Sequence, residues 1–157
     1  MPNYRTHDAI NLTALGVTYA SYTILANASV IPNISGVAML GYTLSYLAGT
    51  FFVTPDLDLH GSKPKKRWGA LRILWHPYAT LVPHRSSFSH GWLIGPLTRL
   101  LYLLLFTLPP LAATRTLEPI RAFMHQHIGW DALIAVLAGY LVSQWMHLIA
   151  DRATLRP

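Results

Sequence analysis

The chain has 157 residues, of which 52% are hydrophobic and only 11% charged, against about 25% charged residues in ordinary globular proteins. Its net charge is +6, but so apolar a chain offers little of the water-facing basic surface that nucleic acid requires, so we expect no nucleic-acid partner. The absence of cysteine excludes disulfides and thiolate metal sites. Length predicts one domain over residues 1–157, and composition favours an integral membrane protein.

Four apolar segments are each near the ~20 residues that a helix needs to cross a bilayer. They lie at about residues 9–31, 34–54, 91–113 and 132–150. A tight turn between the first two predicts an antiparallel hairpin. We expect the first to be a retained helix and not a signal peptide, because polar residues interrupt its apolar run. The sequence therefore predicts an all-α fold: a four-helix transmembrane bundle with a long cytoplasmic loop, residues 55–90, that carries the polar side chains.

Small residues and prolines mark the second and third segments. Gly41, Ser45 and Gly49 recur every four residues, a spacing that lets two helix backbones approach closely. In the third segment, a proline pair at residues 109–110 predicts the helix end. Arg99 lies inside that segment, so we expect its side chain to extend back to the head-group level, or else the first turns of the helix to stand clear of the lipid.

The distribution of positive charge predicts the orientation in the membrane. Nine of the twelve Lys and Arg residues fall on one predicted side: Arg5, Lys63, Lys65, Lys66, Arg67, Arg72, Arg85, Arg152 and Arg156. The other side has only Arg115 and Arg121, in a polar loop or surface helix at residues 114–131. We therefore expect a multi-pass protein of the inner (plasma) membrane, with both termini and the central loop in the cytoplasm. Membrane lipid is then an expected partner.

Histidines and aspartates cluster at the ends of the four segments. If the four segments each cross the membrane, all of these ends lie at the same cytoplasmic face. The distribution of positive charge did not by itself require this agreement. The candidate metal ligands are His7, Asp8, Asp56, Asp58, His60, His84, His90, His147 and Asp151.

Local spacing supports a shared site. His147 and Asp151 are four residues apart and lie on one face of a helix, and Gln144 and Tyr140 continue that polar line. A polar line in a membrane helix normally faces the bundle interior. A comparable stripe on the first helix contains His7, Asn11, Thr18 and Tyr22. If residues 56–60 are extended, Asp56, Asp58 and His60 point the same way.

Several of these residues also have simpler interpretations. Asp8 alone is a plausible helix N-cap. Asp151 alone is a polar residue at a helix C-terminus, although a carboxylate opposes the helix dipole there and favours a cation partner. His76 falls between the clusters and is interpreted as structural. His125 and His127 belong to the opposite predicted side of the membrane, so we do not expect them to be metal ligands.

Imidazole and carboxylate ligands without thiolates suit Zn²⁺ first, and also Mn²⁺, Fe²⁺ or Co²⁺. Nine candidate ligands exceed what one tetrahedral ion needs. Either two ions share the site, or several of these residues orient the ligands or act as a general base.

Three segments carry a resemblance to a known group of proteins. They are TPDLDLHGSK at residues 54–63, HRSSFSHG at 84–91 and HLIAD at 147–151. Together they resemble the signature of bacterial inner-membrane metal-dependent hydrolases, and with THD at 6–8 and KRWG at 66–69 the chain looks like an uncharacterised bacterial family of metal-binding membrane proteins. The resemblance implies metal contacts from His7, Asp56, Asp58, His84, His90, His147 and Asp151. That pattern places a histidine directly after the aspartate pair, whereas here Leu59 precedes His60.

The expected activity is hydrolysis of an ester or phosphoester, in a small-molecule or lipid-derived substrate, by metal-activated water. Asp58 or Asp8 is the expected proton acceptor, while Arg85 and Lys63 hold a phosphate. The alternative is a metal-binding membrane protein without catalysis that serves storage, sensing or assembly. A third interpretation keeps the metal site but makes the fold a soluble or peripheral helical bundle.

Overall fold

The structure is a computed structural model that describes residues 4–154, and side chains as far as residue 152. Arg156, which contributes to the predicted charge asymmetry, lies outside this range. The described residues form eight α-helices and two 3₁₀ segments, without a strand, which confirms the predicted all-α class. The α-helices are α1 (Tyr4–Asn27), α2 (Gly36–Phe51), α3 (Lys63–Arg67), α4 (Trp75–Leu81), α5 (Ser87–His90), α6 (Ile94–Ala113), α7 (Leu117–His127) and α8 (Trp130–Thr154); the 3₁₀ segments are Pro55–Asp58 and Gly69–Leu74.

Within the described range, α1, α2, α6 and α8 are long and apolar enough to cross a membrane. Their bounds differ from the predicted segments chiefly at polar ends, because α1 begins at Tyr4 and α8 runs from Trp130 to Thr154. Helix α6 also continues past its proline pair to Ala113. The last turn still closes, since the carbonyl of Pro110 accepts a hydrogen bond from the backbone N–H of Thr114 at 3.0 Å.

The closest helix pairing in the fold is between α2 and α8, along the small residues that the sequence singled out. A Cβ on Gly41 would lie 2.9 Å from Val136 Cγ2, and one on Gly49 would overlap the Ser143 hydroxyl. On α8, Gly139 fits against the carbonyl of Tyr42 in the same way. The absence of side chains at these positions allows the two backbones to approach, as predicted.

Helices α1 and α6 join this pair in different ways. Two tyrosines of α1 reach the start of α2, as the Tyr19 hydroxyl bonds the Met39 carbonyl at 3.4 Å and the Tyr22 hydroxyl accepts from the Ile34 N–H at 3.1 Å. Helix α6 meets α8 at its first turns, where the Tyr140 hydroxyl donates to the Pro96 carbonyl at 3.1 Å. Helix α6 therefore joins α8 at the end where α6 begins, whereas α1 is bonded to α2 near the opposite end.

The predicted loop at residues 55–90 is mostly short helices. Thr54 is extended, and Pro55 begins a 3₁₀ turn that contains Asp56 and Asp58. The extended conformation considered for residues 56–60 does not form at Asp56–Asp58, because the fixed φ of proline at the first position of a turn favours helical geometry after it. Leu57 in this turn is fully buried and packs in a cluster with Val53, Trp75, Tyr78 and Tyr140. This apolar cluster fastens the short helices to α8.

Candidate metal centre

Side chains from four separate parts of the chain meet at one end of the bundle. They come from the start of α1, the 3₁₀ turn after α2, the α5 region and the last turns of α8. Three groups each offer ligand atoms within 4.8 Å of one another. The groups are His7, His147 and Asp151; Asp56, His90 and His147; and Asp58, His84 and His90.

The middle of this cluster has the spacing of ligands around an ion. His147 Nε2 lies 3.6 Å from Asp56 Oδ2 and 3.8 Å from Asp151 Oδ2, and His90 Nε2 lies 3.6 Å from the same Asp151 oxygen. These separations are too long for good hydrogen bonds. Metal–ligand bonds of about 2.0–2.1 Å place neighbouring atoms around a tetrahedral ion about 3.4 Å apart. Each of these three pairs therefore has a separation closer to that of two ligands of one divalent cation than to that of a hydrogen bond.

His7 completes one side of the cluster. Its Nε2 lies 3.3 Å from Asp151 Oδ1, and its ring stacks on His147 with the centroids 4.0 Å apart. The polar stripe of α1 holds it there: Asn11 Nδ2 donates to the His7 carbonyl, and the Tyr46 hydroxyl of α2 donates to the Asn11 carbonyl at 2.9 Å. The stripes on α1 and α8 thus face the interior at their site ends.

Asp58 lies behind two of the histidines. Its side chain is fully buried, with Oδ1 2.9 Å from His84 Nδ1 and Oδ2 3.6 Å from His90 Nδ1. The Ser89 hydroxyl is also 2.9 Å from His90 Nδ1. A carboxylate on the far nitrogen of a histidine is the arrangement that orients metal-bound imidazoles in proteins.

Several buried nitrogen and oxygen atoms of the cluster make no hydrogen bond, which tests whether the cluster suits a metal ion. Among the described residues, His147 Nε2, Asp58 Oδ2 and His7 Nδ1 are buried and make no hydrogen bond. Leaving such atoms unpaired costs about 1–3 kcal/mol each. A cation between the imidazoles and carboxylates removes part of that cost, so the donor set fits a metal ion. Burial also lowers the pKa of His90, which favours the neutral imidazole that a metal requires.

Not every predicted site residue joins the cluster. Asp8 forms a salt bridge with Arg67, which occupies both of its oxygens. His60 is exposed, outside the three groups, and its ring lies 5.1 Å from that of His76. Asp8 and His60 adjoin the predicted site in the sequence, but their side chains contact Arg67 and His76 instead.

The cluster opens into a cavity of about 260 Å³ whose lining includes Lys63, Arg85 and His84. Arg85 has a φ of +61°, a left-handed conformation that is uncommon for a residue other than glycine. Lys63 lies with its Nζ 5.3 Å from the centre of the Tyr4 ring. Two cationic side chains therefore stand at the entrance to a cluster of carboxylates and imidazoles.

Sequence reasoning missed the role of Arg99. It was expected to reach the head-group level or to stand clear of lipid, but it is completely buried and donates to the Ser89 carbonyl at 2.6 Å and to Gln144 Oε1 at 2.8 Å. These acceptors replace water, so the guanidinium remains inside. Arg99 thus links Ser89, which precedes His90, to Gln144, which lies one turn before His147 on α8. The available signal was its position, one turn after the Gly95–Pro96 break that starts α6.

Fold and site together define a helical protein with a His/Asp metal centre at one end of membrane-length helices. The chain belongs to the family described as uncharacterized metal-binding protein (DUF2227), which it matches over residues 2–156. An uncharacterized protein of Aquifex aeolicus (strain VF5) is 47% identical over 62 residues, a match that covers 40% of this chain and 43% of the relative. No solved structure matches the chain.

Proposed function

We propose that this chain is an integral membrane protein that holds one divalent metal ion, with Zn²⁺ preferred, and hydrolyses an anionic ester or phosphoester. The observation that carries the proposal is the buried His147 Nε2, which makes no hydrogen bond, lies 3.6 Å from Asp56 Oδ2 and 3.8 Å from Asp151 Oδ2, and adjoins a cavity that Lys63 and Arg85 line. The family description supports metal binding. The identity of the ion, the hydrolysis and the membrane location are our proposals.

The shared histidines favour one ion over two. His147 belongs to two of the three groups and presents Nε2 to Asp56 and Asp151, while His90 presents Nε2 to Asp151 and Nδ1 to Asp58. A neutral imidazole offers one nitrogen to a metal, because the other carries the proton. The ligands are then His90, His147, Asp56 and Asp151, with His7 beside them. Asp58 Oδ1 lies 2.9 Å from His84 Nδ1 and Oδ2 lies 3.6 Å from His90 Nδ1, so Asp58 orients these two histidines.

A bound divalent ion supplies Lewis-acid activation of water and of the scissile group. His84 is suited to accept the proton, since its side chain is 29% exposed, lines the cavity and has Nδ1 held by Asp58 at 2.9 Å. Asp8 is occupied by Arg67, which makes it a poorer base. Arg85 and Lys63 bind the negative charge of the substrate at the entrance.

The test uses the full chain in detergent, loaded with Zn²⁺, and two substrates: p-nitrophenyl phosphate and the uncharged p-nitrophenyl acetate. We expect phosphate ester hydrolysis that a chelator abolishes and Zn²⁺ restores. Arg85→Gln should lower kcat/KM for the anionic ester by about 10- to 100-fold, the loss of one charged hydrogen bond, while metal content and the neutral substrate are unaffected. Failure of the Zn²⁺-loaded chain to hydrolyse either ester would overturn the catalytic part.

A second candidate is metal binding without catalysis. The favouring observation is that seven His and Asp side chains meet here, enough to fill every position around one ion. A spectroscopic study of the Co²⁺-substituted protein separates the two. If inorganic phosphate leaves the visible Co²⁺ bands unchanged, the coordination sphere is closed and metal binding without catalysis is supported. If phosphate shifts these bands, a coordination position is open and the hydrolase is supported.

The membrane location is supported by apolar surface that the fold leaves uncovered. Only 6% of the apolar window of α1 and 17% of that of α6 is buried. Carbonate extraction tests insertion directly, and release of the chain would support a peripheral bundle.

The orientation in the membrane has its own test. The lack of cysteine allows single-cysteine labelling in intact cells. Ser87→Cys, at the site end, should be protected from an impermeant maleimide, whereas Gln126→Cys should react.

A further inference from the structure

A second polar cleft lies on the short helices, apart from the metal centre. It has a volume of about 620 Å³ and is lined by His60, Lys65, Lys66, Ala70, Arg72, Ile73 and His76. Three of these residues are cationic and two are histidines, whose rings are 5.1 Å apart. The metal centre uses none of the seven.

No acidic side chain balances this charge. The chain has six Asp and Glu residues. Asp56, Asp58 and Asp151 are in the metal centre, Asp8 pairs with Arg67, Asp131 bonds Ser35, and Glu118 lies on α7. Within the described part of the chain, Lys66 and Arg72 form no salt bridge with any of them. A concave surface with several cations and no carboxylate is suited to an anion.

The cleft has one buried cation and two exposed ones. Lys65 is 5% exposed, and its Nζ donates to the Trp75 carbonyl at 3.2 Å, which fixes it in the wall. Burial lowers its pKa, so a bound anion would favour its charged form. Lys66 and Arg72 are exposed at the rim. One fixed charge and two adaptable ones suit a phosphate group, which has several acceptor oxygens.

Apolar side chains border the basic residues. Leu71 and Ile73, on either side of Arg72 in the second 3₁₀ segment, are 57% and 73% exposed, and Leu81 at the end of α4 is 77% exposed. Exposed apolar groups beside Lys and Arg are typical of segments that lie in the head-group region of a bilayer.

We propose that this cleft binds a phosphate group, carried by an anionic lipid whose acyl chains contact Leu71 and Ile73. The lipid as the source depends on the membrane location proposed above, whereas the phosphate chemistry does not. The cleft would anchor the short helices, and with them Asp56, Asp58 and His90, to the membrane surface.

Calorimetric titration of the full chain in detergent tests this site with three probes: dioctanoyl phosphatidylglycerol, dioctanoyl phosphatidylcholine and inorganic phosphate. We expect phosphatidylglycerol to bind most tightly. The double variant Lys66→Gln/Arg72→Gln removes two exposed charges and should weaken that binding roughly thirty-fold. The matched control Arg115→Gln/Arg121→Gln removes two exposed charges at α7 and should change it less than about threefold.

His147→Ala should retain phosphatidylglycerol binding, because the metal centre and the cleft share no residue. This variant separates failure of the cleft from failure of the metal centre. Inorganic phosphate that binds as tightly as the lipid would support the phosphate chemistry and overturn the lipid source. Equal binding of phosphatidylcholine, or unchanged binding in the Lys66/Arg72 variant, would overturn the proposal.

Discussion

The two ends of the long helices are built on opposite principles. At the site end, His7, Asn11, Gln144, His147 and Arg99 are all buried although they are polar or charged. At the other end, residues 104–110 of α6 are exposed although six of them are leucine, phenylalanine or proline, and α7 contains no buried residue. Water-soluble proteins place these classes the other way round.

This difference shows where the fold obtains its order. At the site end, buried hydrogen bonds and close His/Asp pairs specify one arrangement of four chain segments. At the other end, most of α6 is left uncovered by the described part of the chain, as the proposed membrane location requires. Changes at the site end should therefore alter metal content or stability, whereas equivalent changes at the other end should alter neither.

The largest expected effect is that of His147→Ala. His147 belongs to two of the three ligand groups and presents Nε2 to both Asp56 and Asp151, so the variant should retain no measurable metal after purification while still inserting. Elemental analysis of purified protein measures this. His125→Ala, on α7, is the matched control and should retain the wild-type metal content. Equal metal in His147→Ala and the wild type would contradict the assignment of the centre.

Replacing the buried arginine should affect stability next most. Arg99→Met removes the donors for the Ser89 carbonyl and for Gln144, and leaving those buried acceptors unpaired should cost roughly 2–5 kcal/mol. Thermal unfolding in detergent measures the loss. Arg99→Lys should recover part of it, and Arg121→Met at the other end should be near neutral. If Arg99→Met unfolds like the wild type, the two ends do not differ as described.

Asp58→Asn sharpens the distinction between a ligand and a residue that orients ligands. Because Asp58 contacts His84 and His90 through their Nδ1 atoms, the variant should still bind one ion, with an affinity about 10- to 100-fold weaker. Competition with a chromogenic chelator measures the affinity. Complete loss of metal would make Asp58 a ligand, as the sequence resemblance implied.

The smallest effects concern the helix contact that supports the centre. Gly49→Ala places a methyl group against Ser143 and Gln144 Nε2, the latter 2.8 Å away, and should destabilise the fold by about 1–3 kcal/mol. Gly16→Ala is the matched control in α1, with nothing within 4 Å, and should stabilise by about 0.5–1 kcal/mol through helix propensity. Thermal unfolding of the two variants should shift in opposite directions.

Much of this arrangement could be predicted from the sequence. Each His/Asp cluster adjoins an end of an apolar segment, so an even number of helices returns them to one end. The four-residue spacings in α2 and α8 likewise predicted which helix faces are buried, and Gly49, Gln144 and His147 lie there. These features follow from helical periodicity, which is a property of the local chain.

Only the tertiary structure decided the partner of each side chain. Asp8 faces Arg67, His60 faces His76, and Arg99 turns inward to Ser89 and Gln144. These contacts depend on the path of the short helices between Pro55 and His90, where Leu57, Trp75 and Tyr78 pack in one buried cluster. Helical and apolar patterns are local and can be read along the chain, whereas the choice of partner for a polar group depends on which distant atoms pack beside it.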